Sequence, residues 1–135
     1  MKEILKLVLY GNPYIKKNSQ RVIWHKYLKR TMVVYSANYS AWRKDTLLQL
    51  GLCKNGYLQK KIKKPIDFPI IMEAHFYLKD TRLVKLSNCY ETIEDILIEA
   101  KILKNSTSNI ITNYNNSKIF YDCKSPKIKI WILKK

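Results

Sequence analysis

The sequence predicts a small single α+β domain, a mixed sheet with two main helices. Three observations predict it. β-rich runs at residues 4–10, 68–78 and 127–133 are spread along the chain. Residues 36–52 and 85–106 instead space their apolar side chains with a helical period. The length, 135 residues with 47% hydrophobic content, suffices for one core and not comfortably for two, so residues 1–135 are read as one domain.

The elements follow in order. Residues 4–10 alternate and form a strand, which Gly11-Asn12-Pro13 ends. Residues 13–21 read as a polar basic loop whose Lys16, Lys17 and Arg21 suit a phosphate grip. Residues 22–25 and 32–35 are short strands; His25 has no partner motif and reads as structural. A helix over 36–52 starts with Ser36 or Asn38 as N-cap and turns Trp42, Leu47, Leu48 and Leu50 inward. Tyr39, Arg43 and Lys44 on it are candidates to stack on or pair with nucleic acid. Residues 60–65 (Lys60, Lys61, Ile62, Lys63, Lys64, Pro65) form a basic linker, either a solvated loop or a track for a DNA strand. Residues 68–78 make a long, central strand on which His75 reads as packed rather than ligating. Lys79-Asp80-Thr81-Arg82 leads out of it.

The stretch 85–106 holds four of the ten acids: Glu91, Glu94, Asp95 and Glu99. Ile93, Leu97 and Ala100, with Ile96 and Leu103 beside them, mark a buried face. Glu91 and Asp95, one turn apart, project away from it. The pair suits a divalent cation or a solvated face. Asn88 with Glu91 three residues on also resembles a capping box. Ile98 and Ile102 on the Glu91 side make the end of this helix apolar nearly all round, which calls for burial on two sides or an oligomer interface. Residues 110–113, 118–121 and 127–133 complete the strands, with Asn115-Asn116 a turn and Ser125-Pro126 before the last. There Ile128, Ile130 and Ile132 alternate with Lys127, Lys129 and Trp131, one buried face against one exposed basic face.

Charge narrows the function. Twenty-six Lys and Arg against ten Asp and Glu give +16, a field that captures polyanions. Nucleic acid leads. A membrane surface is disfavoured, since no basic amphipathic helix and no spanning apolar run is present. Cys53, Cys89 and Cys123 show neither CxxC nor metal spacing, so no zinc site or disulfide framework is expected. With no signal-peptide pattern at Met1–Lys6, the expectation is a reduced, cytoplasmic protein.

The ordered landmarks resemble the RusA-type Holliday-junction resolvases of phages and prophages. They are Gly11-Asn12-Pro13 with Lys16-Lys17-Asn18-Ser19-Gln20-Arg21, then Val34-Tyr35-Ser36 before the helix with Trp42. Lys64-Pro65 precedes the strand carrying Phe76-Tyr77; Lys85-Leu86-Ser87-Asn88 opens the helix with Glu91 and Asp95-Ile96-Leu97; Ile119-Phe120-Tyr121-Asp122 follows. The resemblance spans nearly the whole chain. It implies a small α+β homodimer that binds four-way DNA junctions and cuts them with Mg²⁺ held by aspartates.

The chain departs from that pattern at the aspartates. Lys85 and Ser87 stand in the opening motif, and Lys104-Asn105-Ser106 replaces an acidic turn. Only Glu91 and Asp95 remain as residual catalytic or metal-binding acids. A lysine ammonium ~5 Å from a divalent ion is repelled by on the order of 6–7 kcal/mol at an effective dielectric of ~20. Lys85 and Lys104 at such a site would hold a phosphate instead. The expectation is therefore a junction-binding protein whose nuclease activity is lost or impaired. Its DNA contacts are Lys16, Lys17, Arg21, Lys60, Lys61, Lys63, Lys64, Arg82, Lys85 and Lys104. Two alternatives stand beside it: an active Mg²⁺ enzyme using Glu91, Asp95 and Asp80 or Asp122, and a co-opted regulator that binds a host or satellite protein.

Overall fold

A computed structural model of the chain describes residues 2–15, 19–53, 62–81 and 84–135. The elements are β1 (Lys2–Tyr10), β2 (Gln20–His25), β3 (Arg30–Tyr35), α1 (Ala37–Cys53), β4 (Ile70–Leu78), α2 (Leu86–Glu99), β5 (Ile111–Tyr114), β6 (Lys118–Tyr121) and β7 (Lys127–Lys134). Strands and helices thus lie where the hydrophobic periods place them, within a few residues at their ends except at the C-terminal end of α2, which stops at Glu99.

β7 pairs antiparallel with β1 on one side and with β4 on the other. The far edge of β4 is shared: β5 runs parallel along Ile70–Met72 and β6 parallel along His75–Leu78. The sheet is therefore mixed, with β4 central and α2 the crossover that a parallel β4–β5 pair requires. Between the two half-strands, Asn116 takes φ 51° and the ladder breaks. Ser117 mends it, its Oγ accepting the Ala74 N–H at 3.0 Å. β2 and β3 form a separate two-stranded hairpin.

Alternation decides which face is buried. Ile70, Met72, Ala74, Phe76 and Leu78 of β4 point to one side, with Leu5, Leu7 and Leu9 of β1 and Ile128, Ile130 and Ile132 of β7. The helices supply Tyr39, Trp42, Leu50, Ile93, Ile96 and Leu97 to this core. Leu48 does not join them: it is exposed, lying off the stripe that Trp42 and Leu50 define. The opposite sheet face is not the open basic surface expected. Trp131 packs edge-on against His75 at 4.9 Å, and Lys127 and Lys129 lie over the Tyr77 ring at 4.8 and 5.3 Å. The ammonium groups themselves face the ring in cation–π contacts, and Lys127 Nζ also donates to the Ser125 carbonyl.

The helix after β4 is shorter than its apolar pattern suggests. It starts at Leu86 with Lys85 as N-cap, and that residue makes no side-chain cap hydrogen bond. Asn88 is inside the first turn, its N–H donating to the Lys85 carbonyl, so there is no capping box with Glu91. At the other end Lys101 adopts φ 61° and reverses the chain. The N–H groups of Ile102 and Leu103 both donate to the Leu97 carbonyl, a helix stop of the left-handed kind. Ile102 and Leu103 are thereby folded into the protein's own core, and Leu103 bridges to Ile66. The apolar end needs no partner chain to bury it.

Candidate nucleic-acid interface

A cleft of about 580 Å³ opens where the hairpin base meets the starts of both helices. Its construction is local. β1 ends at Gly11, whose φ of 115° a residue with a side chain adopts only under strain. Asn12 Oδ1 then accepts the Lys79 N–H at 3.0 Å, anchoring the turn to the end of β4. Pro13 and Ile15 are buried. Ser19 Oγ donates to the Ile15 carbonyl at 2.9 Å, and the Ser19 carbonyl accepts the Ser36 N–H at 2.9 Å. Ser36 caps α1, its Oγ accepting the Tyr39 N–H at 3.1 Å. Tyr14, Ser19, Gln20, Arg21, Ser36 and Val84 are among the residues that line the result.

Arg21 is the one charged residue among the described residues of that lining, and it is exposed. It lies on β2, not in the loop expected, because the hairpin ladder starts at Gln20. Val84, also in the lining, is followed by Lys85, which is exposed at the start of α2 and makes no side-chain cap hydrogen bond. A cation and the N–H groups of helix first turns are the donors a phosphate oxygen takes.

The other predicted contacts that lie within the described residues do not line this cleft. Lys63 and Lys64 are exposed on the bend before Pro65. Lys104 is exposed, but it follows Leu103, which is bonded to Leu97 near the far end of α2. At ~1.5 Å per residue, Lys85 and Lys104 are separated by on the order of 15–20 Å, so they do not share one site as expected. Lys16, Lys17, Lys60, Lys61 and Arg82 lie outside the described residues. Tyr39 is buried between Tyr35 and Trp42 and is not available to stack on a base. Arg43 is ion-paired with Glu99, which ties α1 to α2.

All ten acids fall within the described residues, and no three of His, Cys, Asp or Glu there form a group that could hold a metal ion. Several have structural work. Glu94 accepts a 2.6 Å hydrogen bond from the Tyr114 hydroxyl, and Tyr114 stacks on Tyr90 at 3.7 Å. Glu99 holds Arg43. Asp122 accepts the N–H groups of Lys124 and Ser125 at 3.2 and 3.1 Å and lies 3.5 Å from Lys127 Nζ, closing the turn into β7. Glu91 and Asp95 are exposed on the outer side of α2, as their spacing requires. They do not converge with Asp80 and Asp122 into a rearranged ligand set. Mg²⁺ favours near-octahedral oxygen coordination that includes carboxylates, and among the described residues no third His, Cys, Asp or Glu joins this exposed pair in such a group.

Burial pushes the Glu94 carboxyl above its usual value, against the lowering effect of the Tyr114 hydrogen bond; Asp95 and Glu91 add to the rise. Burial likewise pushes the Tyr114 phenol well up, and the Glu94 bond adds to it, so Tyr114 stays a donor. Asp122 is held below the usual carboxylate range, first by the Ser125 N–H and then by Lys124 and Lys127.

Sequence reading missed the cleft, because its walls come from four separated segments. It also missed the exposed apolar surface of the hairpin, for which a signal exists. Residues 20–25 and 30–35 carry apolar side chains at both odd and even positions, so a two-stranded ribbon cannot bury them all. Compared with known proteins, the chain matches no family model and no curated sequence.

Proposed function

We propose that the protein binds branched, four-way DNA in the manner its RusA-like pattern implies, with nuclease activity lost or weakened. The observation that carries this reading is the cleft. It presents Arg21, lies beside Lys85 at the start of α2, and has no carboxylate among its described lining residues. A phosphodiester enters such a site without meeting a like charge, and the +16 field of the chain draws it there. The acids that a phosphodiesterase needs are spread over the fold and bonded into it, at Glu94, Glu99 and Asp122. With Lys85 rather than an acid at the helix start, the chain is suited to hold a phosphate rather than to cut beside it.

Homodimerisation, which places two such clefts on one four-armed substrate, belongs to the same reading. Its support is the resemblance alone, since the apolar end of α2 is covered internally. The test is the affinity of the purified protein for a labelled four-way junction and for linear duplex across a salt series. Junction preference with a steep salt slope is expected, and Arg21→Ala should lower that slope by about one. Equal, weak and salt-insensitive binding to both DNAs would reject the reading and turn attention to a protein partner.

A further inference from the structure

Among the described residues, the β2–β3 hairpin presents an exposed apolar surface. Its strands have six residues each, so the ribbon is ~20 Å long. Cross-strand register puts Val22 opposite Val33 and Trp24 opposite Thr31 on one face, with Gln20 and Tyr35 below them. On that face Val22 is 68% exposed, Trp24 62% and Val33 54%. The loop at the tip adds Tyr27, 89% exposed, and Leu28. The tip is a built turn: the Leu28 N–H donates to His25 Nδ1 at 3.0 Å, and Lys29 takes φ 49°. A two-stranded ribbon with an apolar face is marginal in water unless something covers that face.

Charge selects the occupant. Arg21, Lys26, Lys29 and Arg30 frame the ribbon and are exposed. No acid occurs anywhere between Glu3 and Asp45. Arg21 and Arg30 alternate to the opposite face, while Lys26 and Lys29 sit in the tip loop beside Tyr27 and Leu28, so a second copy seated on the apolar face and tip would meet like charge. Nucleic acid satisfies both features: phosphates pair with the cations, and unstacked bases cover the aromatic rings.

We propose that this hairpin is a stacking wedge for DNA whose base stack is interrupted, with Tyr27 entering the break, Trp24 receiving a displaced base and Lys26, Lys29 and Arg30 gripping the flanking phosphates. The proposal rests on the branched-DNA reading and names the element that senses the branch. It assigns the hairpin a ligand chemistry distinct from that of the cleft, which takes backbone phosphate.

The experiment uses the full chain with a four-way junction carrying 2-aminopurine at the branch point, the matching linear duplex and an oligo-dT single strand. Junction binding should raise 2-aminopurine emission as its neighbour unstacks, and oligo-dT should quench the exposed Trp24. Trp24→Ala combined with Tyr27→Ala should weaken junction binding roughly 10- to 100-fold and abolish both signals, with duplex affinity changed less than about threefold. The pair Trp24→Phe and Tyr27→Phe should restore junction binding, since phenyl rings still stack. Because both positions are exposed, circular dichroism should be unchanged in all variants. If the parent binds the junction and the double alanine variant binds it as tightly with the same 2-aminopurine signal, the wedge is rejected and the branched-DNA reading stands. If the parent binds no junction, both fail. If the parent sediments as a dimer that the alanine variant alone breaks, the ribbon is a contact between copies and the wedge is again rejected.

Discussion

Glu94 is the residue whose electrostatics are most exposed to test. Its carboxyl is raised, so the folded protein holds that proton more tightly than the unfolded chain does. The ionised form therefore costs stability at neutral pH, and the cost fades as pH falls through the carboxylate range. Glu94→Gln keeps an acceptor for the Tyr114 hydroxyl and removes the charge. Melting curves from pH 4 to 7 should show this variant gaining on the parent as pH rises; parallel curves would mean that burial does not govern the group. Asp122 has the opposite sign. Its lowered pKa gives stability that is present above the usual carboxylate value and is lost as pH falls through the folded one. Of the individual acids, the exposed placement of Glu91 and Asp95 was legible from their spacing one turn apart. The employment of Glu94 and Asp122 was not: Tyr114 lies twenty residues from Glu94, and nothing local marks an Asp that turns its oxygens onto Lys124 and Ser125.

At the scale of elements, α2 shows where periodicity stops being informative. Apolar residues continue in helical register to Leu103, yet the helix ends at Glu99 because Lys101 takes a left-handed conformation. A lysine there carries no sequence signal, whereas glycine would have. Lys101→Gly should relieve the strain and stabilise the fold by about 0.5–1 kcal/mol, a melting-temperature rise of roughly 2–4 °C. A fall on calorimetry would mean that the turn does not limit stability. The strands were more legible. Alternation in β7 and the apolar run of β4 found both strands, since one covered sheet face imposes period two. The division of one sheet edge between β5 and β6 depends on Ser117 filling a gap in a partner strand, which no local pattern encodes.

At the scale of the molecule, the distribution of charge is the organising fact. The surplus of cations was evident from composition, and so was the clustering of four acids on one helix. Folding separates what the linear order left together. Glu94 turns to Tyr114 and Glu99 to Arg43, while Glu91 and Asp95 face outward. Meanwhile Arg21 and Val84, more than sixty residues apart in the chain, come to one cleft. Among the described cations expected to grip DNA, Arg21 lines the cleft, Lys63 and Lys64 sit on their own bend, and Lys104 lies at the far end of α2. Under the proposed reading, a protein arranged in this way holds a phosphodiester backbone rather than hydrolysing one.

The measurement that tests this claim most directly is incubation of the purified protein with a labelled four-way junction, with and without Mg²⁺ and Mn²⁺, read on native and denaturing gels. The account predicts a retarded junction on the native gel and intact strands on the denaturing gel under every metal condition. Paired, metal-dependent nicks that disappear in Glu91→Ala would contradict it and would place a working metal site on the outer face of α2.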